Sequence, residues 1–160
     1  MRIKEPRVAA GRDPRTPRVV DIEFQFDAGD EWVPSEQQLG ECVKLAVGDI
    51  DSVACTIRVV GEDESRTLNA QFRDSHRSTN VLAFDADWEL EQGVRYLGDV
   101  AICAAVVNRE ATQQNKRPSA HWSHIVIHGV LHLCGYDHQK TTGSSAGYPL
   151  GFQYLKQKSV

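Results

Sequence analysis

Residues 53–72 read VACTIRVVGEDESRTLNAQF, a run rich in β-branched residues followed at once by a polar, helix-forming segment. The first part, Val53 to Val60, predicts a strand. The second part, Glu62 to Phe72, predicts a short helix in which Leu68 and Phe72 lie one turn apart. A strand that leads directly into a helix is the repeating unit of α/β folds.

The same alternation is visible upstream of this unit. Apolar and polar residues alternate from Val20 to Phe26, which predicts a half-buried strand. Ser35 with Gln38 three residues later predicts a capped helix whose apolar positions recur at helical spacing up to Ile50.

Downstream, Asn80 to Phe84 and Leu97 to Ile102 predict two further strands separated by a polar loop. Ala104 to Asn115 predicts a helix, which Pro118 ends. With no internal repeat or linker, the sequence predicts a single α/β domain in which a small sheet packs with several helices.

Length and composition agree with one soluble domain: 160 residues, 41% hydrophobic and 25% charged. No apolar run approaches the roughly 18 residues of a membrane span, and the N-terminal residues lack the apolar core of a secretory signal. We therefore expect a cytoplasmic protein with no membrane association. Four scattered cysteines without a CxxC pair predict reduced core residues: Cys42, Cys55, Cys103 and Cys134.

Charge divides the chain unevenly. Residues 1–20 hold six Lys or Arg against two acidic residues, whereas the whole chain has a formal charge of −4. We interpret residues 1–18 as a basic N-terminal arm, which is either a solvated tail or a contact for phosphates. Residues 19–138 form the predicted metallohydrolase domain, and residues 139–160 form a tail of loop-favouring residues.

The segment HWSHIVIHGVLHLCGYDH, residues 121–138, carries the chemistry. His124, His128 and His132 follow one another at four-residue spacing, which places their side chains on one face of a helix. Gly135 predicts a turn just past the helix end, and that turn would bring His138 back towards the same point. Three histidines, His128, His132 and His138, are therefore the predicted metal ligands.

Three imidazoles leave one tetrahedral position for water, which is the arrangement of catalytic zinc sites. Zn²⁺ is the first choice of metal, with nickel or another divalent ion as the alternative. Scattered core and surface histidines are the competing interpretation of this helix. For His121 and His124 that interpretation is favoured, because packing or hydrogen bonding to the ligands explains them better than ligation.

The residue after the first ligand separates two reactions. Zinc proteases with the HExxH pattern place a general-base Glu there, and this chain has Gly129. A zinc peptidase remains an alternative, but phosphodiester cleavage depends less on that Glu if a cation neutralises the phosphate. Arg73, in a polar loop between a predicted helix and strand, is the candidate cation. In the competing interpretation, Arg73 and Arg77 are a pair of ordinary surface cations.

Four blocks taken together resemble the YbeY family of bacterial rRNA-maturation endoribonucleases over residues 20–138. They are Phe72-Arg73, Thr79 to Phe84, Leu97 to Val100, and the histidine segment. The resemblance implies a mixed four-stranded sheet, zinc on the three histidines, and hydrolysis of single-stranded RNA. It also implies action on the ribosomal small subunit, in 16S rRNA 3′-end maturation and ribosome quality control.

Carried over by position, the family's functional arginine falls on Arg73. The candidate catalytic residues are therefore Arg73, His128 and His132. Thr79 and Asn80 are given a structural role. Residues 139–160 depart from the acidic, Met-containing terminal helix usual in the family. An altered reading frame near His138 is our hypothesis for this departure, and sequencing the locus tests it. The departure keeps open a second alternative, a catalytically silent ribosome-assembly factor.

Overall fold

Four strands and four α-helices make up residues 17–50 and 52–135, the part of the chain that the computed structural model describes. A short 3₁₀ turn, Glu91–Gly93, lies between the last two strands. The elements in chain order are β1 (Val20–Phe26), α1 (Glu36–Val47), β2 (Val53–Val60), α2 (Glu62–Arg73), β3 (Val81–Glu89), β4 (Arg95–Cys103), α3 (Ala104–Gln113) and α4 (Pro118–Leu133).

These bounds leave parts of the predicted domain organisation outside the described residues. Residues 1–16 of the predicted arm and all of the predicted tail, 139–160, lie there. Arg18, at the end of the arm, has its guanidinium 3.7 Å from a carboxylate oxygen of Asp49. No helix in the described ranges combines the length and the apolar character needed to cross a bilayer.

The sheet is mixed and has the strand order β1-β2-β4-β3. β1, β2 and β4 are parallel, and β3 runs antiparallel to β4. The predicted α/β fold with a mixed four-stranded sheet is confirmed. Because β3 pairs only with β4 in the described sheet, it forms one edge.

One face of the sheet is covered by α1 and α4 and holds the main core. Alternate residues of β2, from Val53 to Val59, point into this core together with Val100 and Ile102 of β4. Trp122, Val126 and Val130 of α4 are fully buried among them. The position of α4 above β3 and β4 is what fixes the histidines in space.

The opposite face is covered only in part, by α2. Glu64 of α2 forms an ion pair with Arg58 of β2, and the ring of Phe72 packs edge-on against Phe84 of β3 at 4.9 Å between ring centres. Among the described residues, the rest of this face, towards the N-terminal end of β4, carries polar and aromatic side chains and no second helix. We call it the open face.

Several element boundaries follow directly from local chemistry. The predicted capping box is present: the Gln38 amide N–H donates to the Ser35 hydroxyl, and the Ser35 amide N–H donates to the Gln38 side chain. Pro118 was predicted to end a helix. It instead occupies the first turn of α4, where its missing N–H costs no hydrogen bond.

The predicted polar loop after Phe84 is wrong. β3 continues to Glu89 and forms a hairpin with β4, which begins at Arg95. Trp88 lies opposite Tyr96 in this hairpin. Aromatic cross-strand pairs of this kind stabilise a sheet, whereas the acidic residues of this part of β3 would not stabilise it alone. Gly98 has φ +133 at an irregularity in the ladder, where a Cβ would lie 2.1 Å from the Phe84 carbonyl oxygen.

Candidate active site

The centre of the candidate site is a pair of histidines on the last two turns of α4. His128 is half-buried and His132 is exposed, and their ring centres are 4.8 Å apart with planes inclined at 62°. Two imidazoles that share a tetrahedral Zn²⁺ through Zn–N bonds of about 2.1 Å have ring centres about 5 Å apart. The His128–His132 arrangement therefore fits joint coordination of one ion.

The two histidines upstream do not have this arrangement. The ring centres of His124 and His128 are 6.5 Å apart, farther than the about 5 Å expected for two imidazoles on one tetrahedral ion, and the ring planes are inclined at only 12°. His121 is buried, and its Nε2 lies 3.0 Å from Glu110 Oε1 of α3. The packing predicted for His121 is confirmed, and its hydrogen bond is to Glu110.

Glu110 is a residue that the sequence analysis missed. Its carboxylate also accepts from the Asn80 side-chain amide, at 3.1 Å, so one acidic side chain connects α3, α4 and the residue before β3. Thr79 exchanges hydrogen bonds with the Ser65 hydroxyl at 3.0 Å through both its carbonyl and its amide. These contacts agree with the structural role predicted for Thr79 and Asn80. No spacing rule reveals Glu110, because its partners come from other elements.

The chain turns at the end of α4 where the sequence predicted it. The helix ends at Leu133, and Gly135 takes φ +89 while its amide donates to the His132 carbonyl at 3.0 Å. A positive φ of this kind is the left-handed conformation that glycine adopts at low cost. His138, the predicted third ligand, lies outside the described residues. Within the described ranges no group of three metal-ligating side chains converges.

Gly129 lies where α4 approaches the sheet closely. A Cβ at this position would be 2.7 Å from Val100 Cγ1 and 3.1 Å from Val81 Cγ2. Both distances are shorter than ordinary van der Waals contact. The position at which HExxH proteases carry their glutamate therefore faces the core, where a side chain fits only if α4 or Val100 moves.

Arg73 is the last residue of α2 and is exposed, so the prediction that it lies on a loop is wrong. The loop begins at Asp74, which ends the helix in a left-handed conformation with φ +53. A cation in the last turn interacts favourably with the helix dipole. Phe72, its neighbour in sequence, anchors this end of α2 on Phe84.

All four cysteines are free, as predicted, and Cys55, Cys103 and Cys134 are buried while Cys42 is half-buried. Burial raises the pKa of Cys134 to about 12, and it raises that of Cys55 to the same value. Cys134 follows the histidine pair closely in sequence. Its thiol stays protonated near neutral pH and packs in the core as an apolar group.

Both the sequence and the fold are similar to those of known proteins. A family model described as Endoribonuclease YbeY matches residues 29–146, a span that includes Arg73 and all the histidines of residues 121–138. The chain belongs to the YbeY family. An Endoribonuclease YbeY from Alcanivorax borkumensis is 47% identical over 132 residues, which cover 74% of this chain and 70% of that protein. The solution structure of a Thermotoga maritima protein is similar to this YbeY-family chain with a TM-score of 0.50 and 31% identity, covering 85% of each chain.

Proposed function

We propose that this YbeY-family chain is a zinc-dependent endoribonuclease that cleaves single-stranded RNA. We place its action in the cytoplasm, on the ribosomal small subunit, in 16S rRNA 3′-end maturation and ribosome quality control. The observation that carries the proposal is the inclined His128–His132 pair, 4.8 Å between ring centres, inside the segment matched by the endoribonuclease family.

In this proposal His128, His132 and His138 hold the metal. When bound, Zn²⁺ would supply a water whose pKa is lowered to about 7, which makes hydroxide accessible at neutral pH. Packing of α4 on the sheet limits the freedom of the half-buried His128, whereas His132 is exposed to solvent. The contacts of Glu110 with His121 and Asn80 keep α4 in register with β3.

Arg73 would bind a phosphate of the substrate. Two N–H groups of a guanidinium can bind one phosphate together. The exposed position at the end of α2 leaves it accessible to RNA. Charge neutralisation at the phosphate lowers the cost of the additional charge that develops there during cleavage.

The peptidase alternative is disfavoured by Gly129. Because a side chain at this position would collide with Val100 and Val81, a glutamate there would have to displace α4 from the sheet. The packing of this helix thus disfavours an HExxH-type glutamate at residue 129. Phosphodiester cleavage makes no such demand on residue 129.

Cleavage of an end-labelled single-stranded RNA, compared with the same strand annealed to its complement, tests the proposal. We expect cleavage of the single strand with added Zn²⁺, loss of cleavage in His128→Ala, and strong reduction in Arg73→Glu. A matched control should keep activity: Arg66→Glu, which makes the same charge change on α2. Cosedimentation with small subunits without cleavage under any metal condition would favour the silent assembly factor and overturn the nuclease assignment.

A further inference from the structure

An exposed tryptophan on the open face of the sheet has no part in the metal site. Trp88 of β3 is 57% exposed, and its ring stacks on Tyr96 of β4 with ring centres 5.2 Å apart and planes at 16°. Large exposed aromatic rings are uncommon on a soluble surface, and tryptophan is enriched where surfaces bind partners. The Tyr96 ring packs against one side of the Trp88 indole.

The supporting ring is itself held in place. The Tyr96 hydroxyl lies 2.7 Å from the Thr56 hydroxyl oxygen and donates a hydrogen bond to the Asp99 carboxylate. Thr56 is buried in β2, so the tyrosine is attached to the centre of the sheet. Because Tyr96 cannot turn freely, the indole stacked on it has a defined orientation before any ligand arrives.

Trp88 belongs to a row of three aromatic side chains, two on β3 and one at the end of α2. Phe84 is opposite Asp99 in the ladder and therefore shares the open face with Trp88, roughly 13 Å away along β3 at about 3.3 Å per residue. Phe72, 62% exposed, packs on Phe84, and Arg73 follows it in the chain. Phe72, Phe84 and Trp88 form what we call the aromatic row.

The aromatic row and the histidine helix flank the same edge strand. Val81 of β3 contacts α4 at Gly129 on one face of the sheet, whereas Phe84 and Trp88 lie on the other face. A polynucleotide bound at the aromatic row would therefore lie along the strand against whose other face α4 packs, with Arg73 next to Phe72 in the chain.

We propose that Trp88 is a base-stacking residue for single-stranded RNA and binds a nucleotide remote from the cleaved bond. The inference rests on the proposed function, which supplies RNA as the ligand. Stacking on an aromatic ring tolerates every base. Asp99 is exposed on the same face as Trp88 and repels phosphates, so bases face this surface while the backbone lies towards solvent.

Tryptophan fluorescence isolates this contact. The chain has three tryptophans, of which Trp122 is fully buried and Trp32 is 49% exposed in the segment between β1 and α1. In a Trp32→Phe background, quenching by added RNA therefore reports on Trp88. The titration uses oligouridine in EDTA, where no cleavage occurs, and fluorescence anisotropy of an end-labelled oligonucleotide measures total binding independently.

We expect oligouridine to quench Trp88 and Trp88→Ala to weaken binding about 5- to 100-fold, as loss of one stacked base predicts. Trp88→Phe, which keeps a ring, should weaken it less, and the matched control Trp32→Ala should change it less than about twofold. An oligomer of abasic sites carries the same phosphates without bases. It should bind wild type and Trp88→Ala equally.

Two results would overturn the inference. The first is RNA binding by anisotropy with no quenching and no loss in Trp88→Ala, provided that circular dichroism shows the variant folded. The second is a Trp88→Ala protein that binds RNA normally but no longer binds small subunits, which would assign the aromatic row to a protein partner. Quenching of Trp88 in a wild-type protein that never cleaves RNA would instead contradict the nuclease proposal and support the base-stacking residue.

Discussion

Replacing Gly129 by alanine should destabilise the protein, although the same substitution in an ordinary helix stabilises it. The added Cβ would lie 2.7 Å from Val100 Cγ1 and 3.1 Å from Val81 Cγ2. Val100 is fully buried in the second-last strand of the sheet order and has little room to move. The helix must therefore rise from the sheet by several tenths of an ångström.

Gly40 in α1 is a matched control. It is also a buried helical glycine that faces the sheet, but a Cβ there would be 3.8 Å from Ile22 and 3.9 Å from Phe24, which is ordinary contact. Alanine is favoured over glycine within helices by about 1 kcal/mol, and this gain applies at both sites. Overpacking in a core costs about 1–3 kcal/mol and applies at Gly129 alone.

The expected changes in the free energy of unfolding are thus a gain of about 1 kcal/mol for Gly40→Ala and a loss of about 0–2 kcal/mol for Gly129→Ala. Urea unfolding followed by circular dichroism measures both. With a slope of about 2 kcal/mol/M, the two midpoints should differ by about 0.5–1.5 M. Equal stabilisation of both variants would refute the close approach of α4 to Val100.

Three further predictions concern the substrate cation, the α3–α4 contact and the tyrosine of the open face. Arg73→Gln should reduce the slope of log K against log salt for RNA binding by about 0.7, the release expected for one phosphate on a single strand; an unchanged slope would mean that Arg73 binds none. Glu110→Ala should destabilise the protein by about 2–3 kcal/mol in urea unfolding, because the buried His121 and the Asn80 amide lose their acceptor, and Glu110→Gln should cost less. Burial, and then the hydrogen bond to Asp99, raise the pKa of Tyr96 from 10.0 to about 12, so the stability that its protonated hydroxyl contributes is complete below pH 10 and lost between pH 10 and 12. Tyr96→Phe should therefore approach wild type in stability over that interval, and a difference independent of pH would contradict the raised pKa.

The strands and helices whose sequences show a strong hydrophobic periodicity were predictable. β1 and β2 have the predicted bounds because each is a short run of alternating or β-branched residues between polar segments. The Ser35 capping box is a local interaction that the sequence shows directly. The histidine pair was predictable for the same reason, since four-residue spacing fixes neighbours on a helix.

The hairpin and the cross-element contacts were not predictable by the same rules. Asp85, Asp87 and Glu89 alternate with other residues in a stretch that looks like a loop, and only pairing with β4 makes it a strand. Glu110 meets His121 and Asn80 through tertiary packing. The absence of a side chain at Gly129 was visible in the sequence, but its cause, contact with Val100, depends on how α4 lies on the sheet.

The central claim, that His128 and His132 jointly hold a metal ion, is tested most directly by the zinc content of purified protein and its variants. The account predicts about one zinc per chain in wild type and in His124→Ala, whose ring is parallel to that of His128 and 6.5 Å from it. It predicts loss of zinc in His128→Ala and in His132→Ala while circular dichroism shows both to be folded. Zinc retained by either variant, or a wild type that binds none when zinc is supplied, would contradict it.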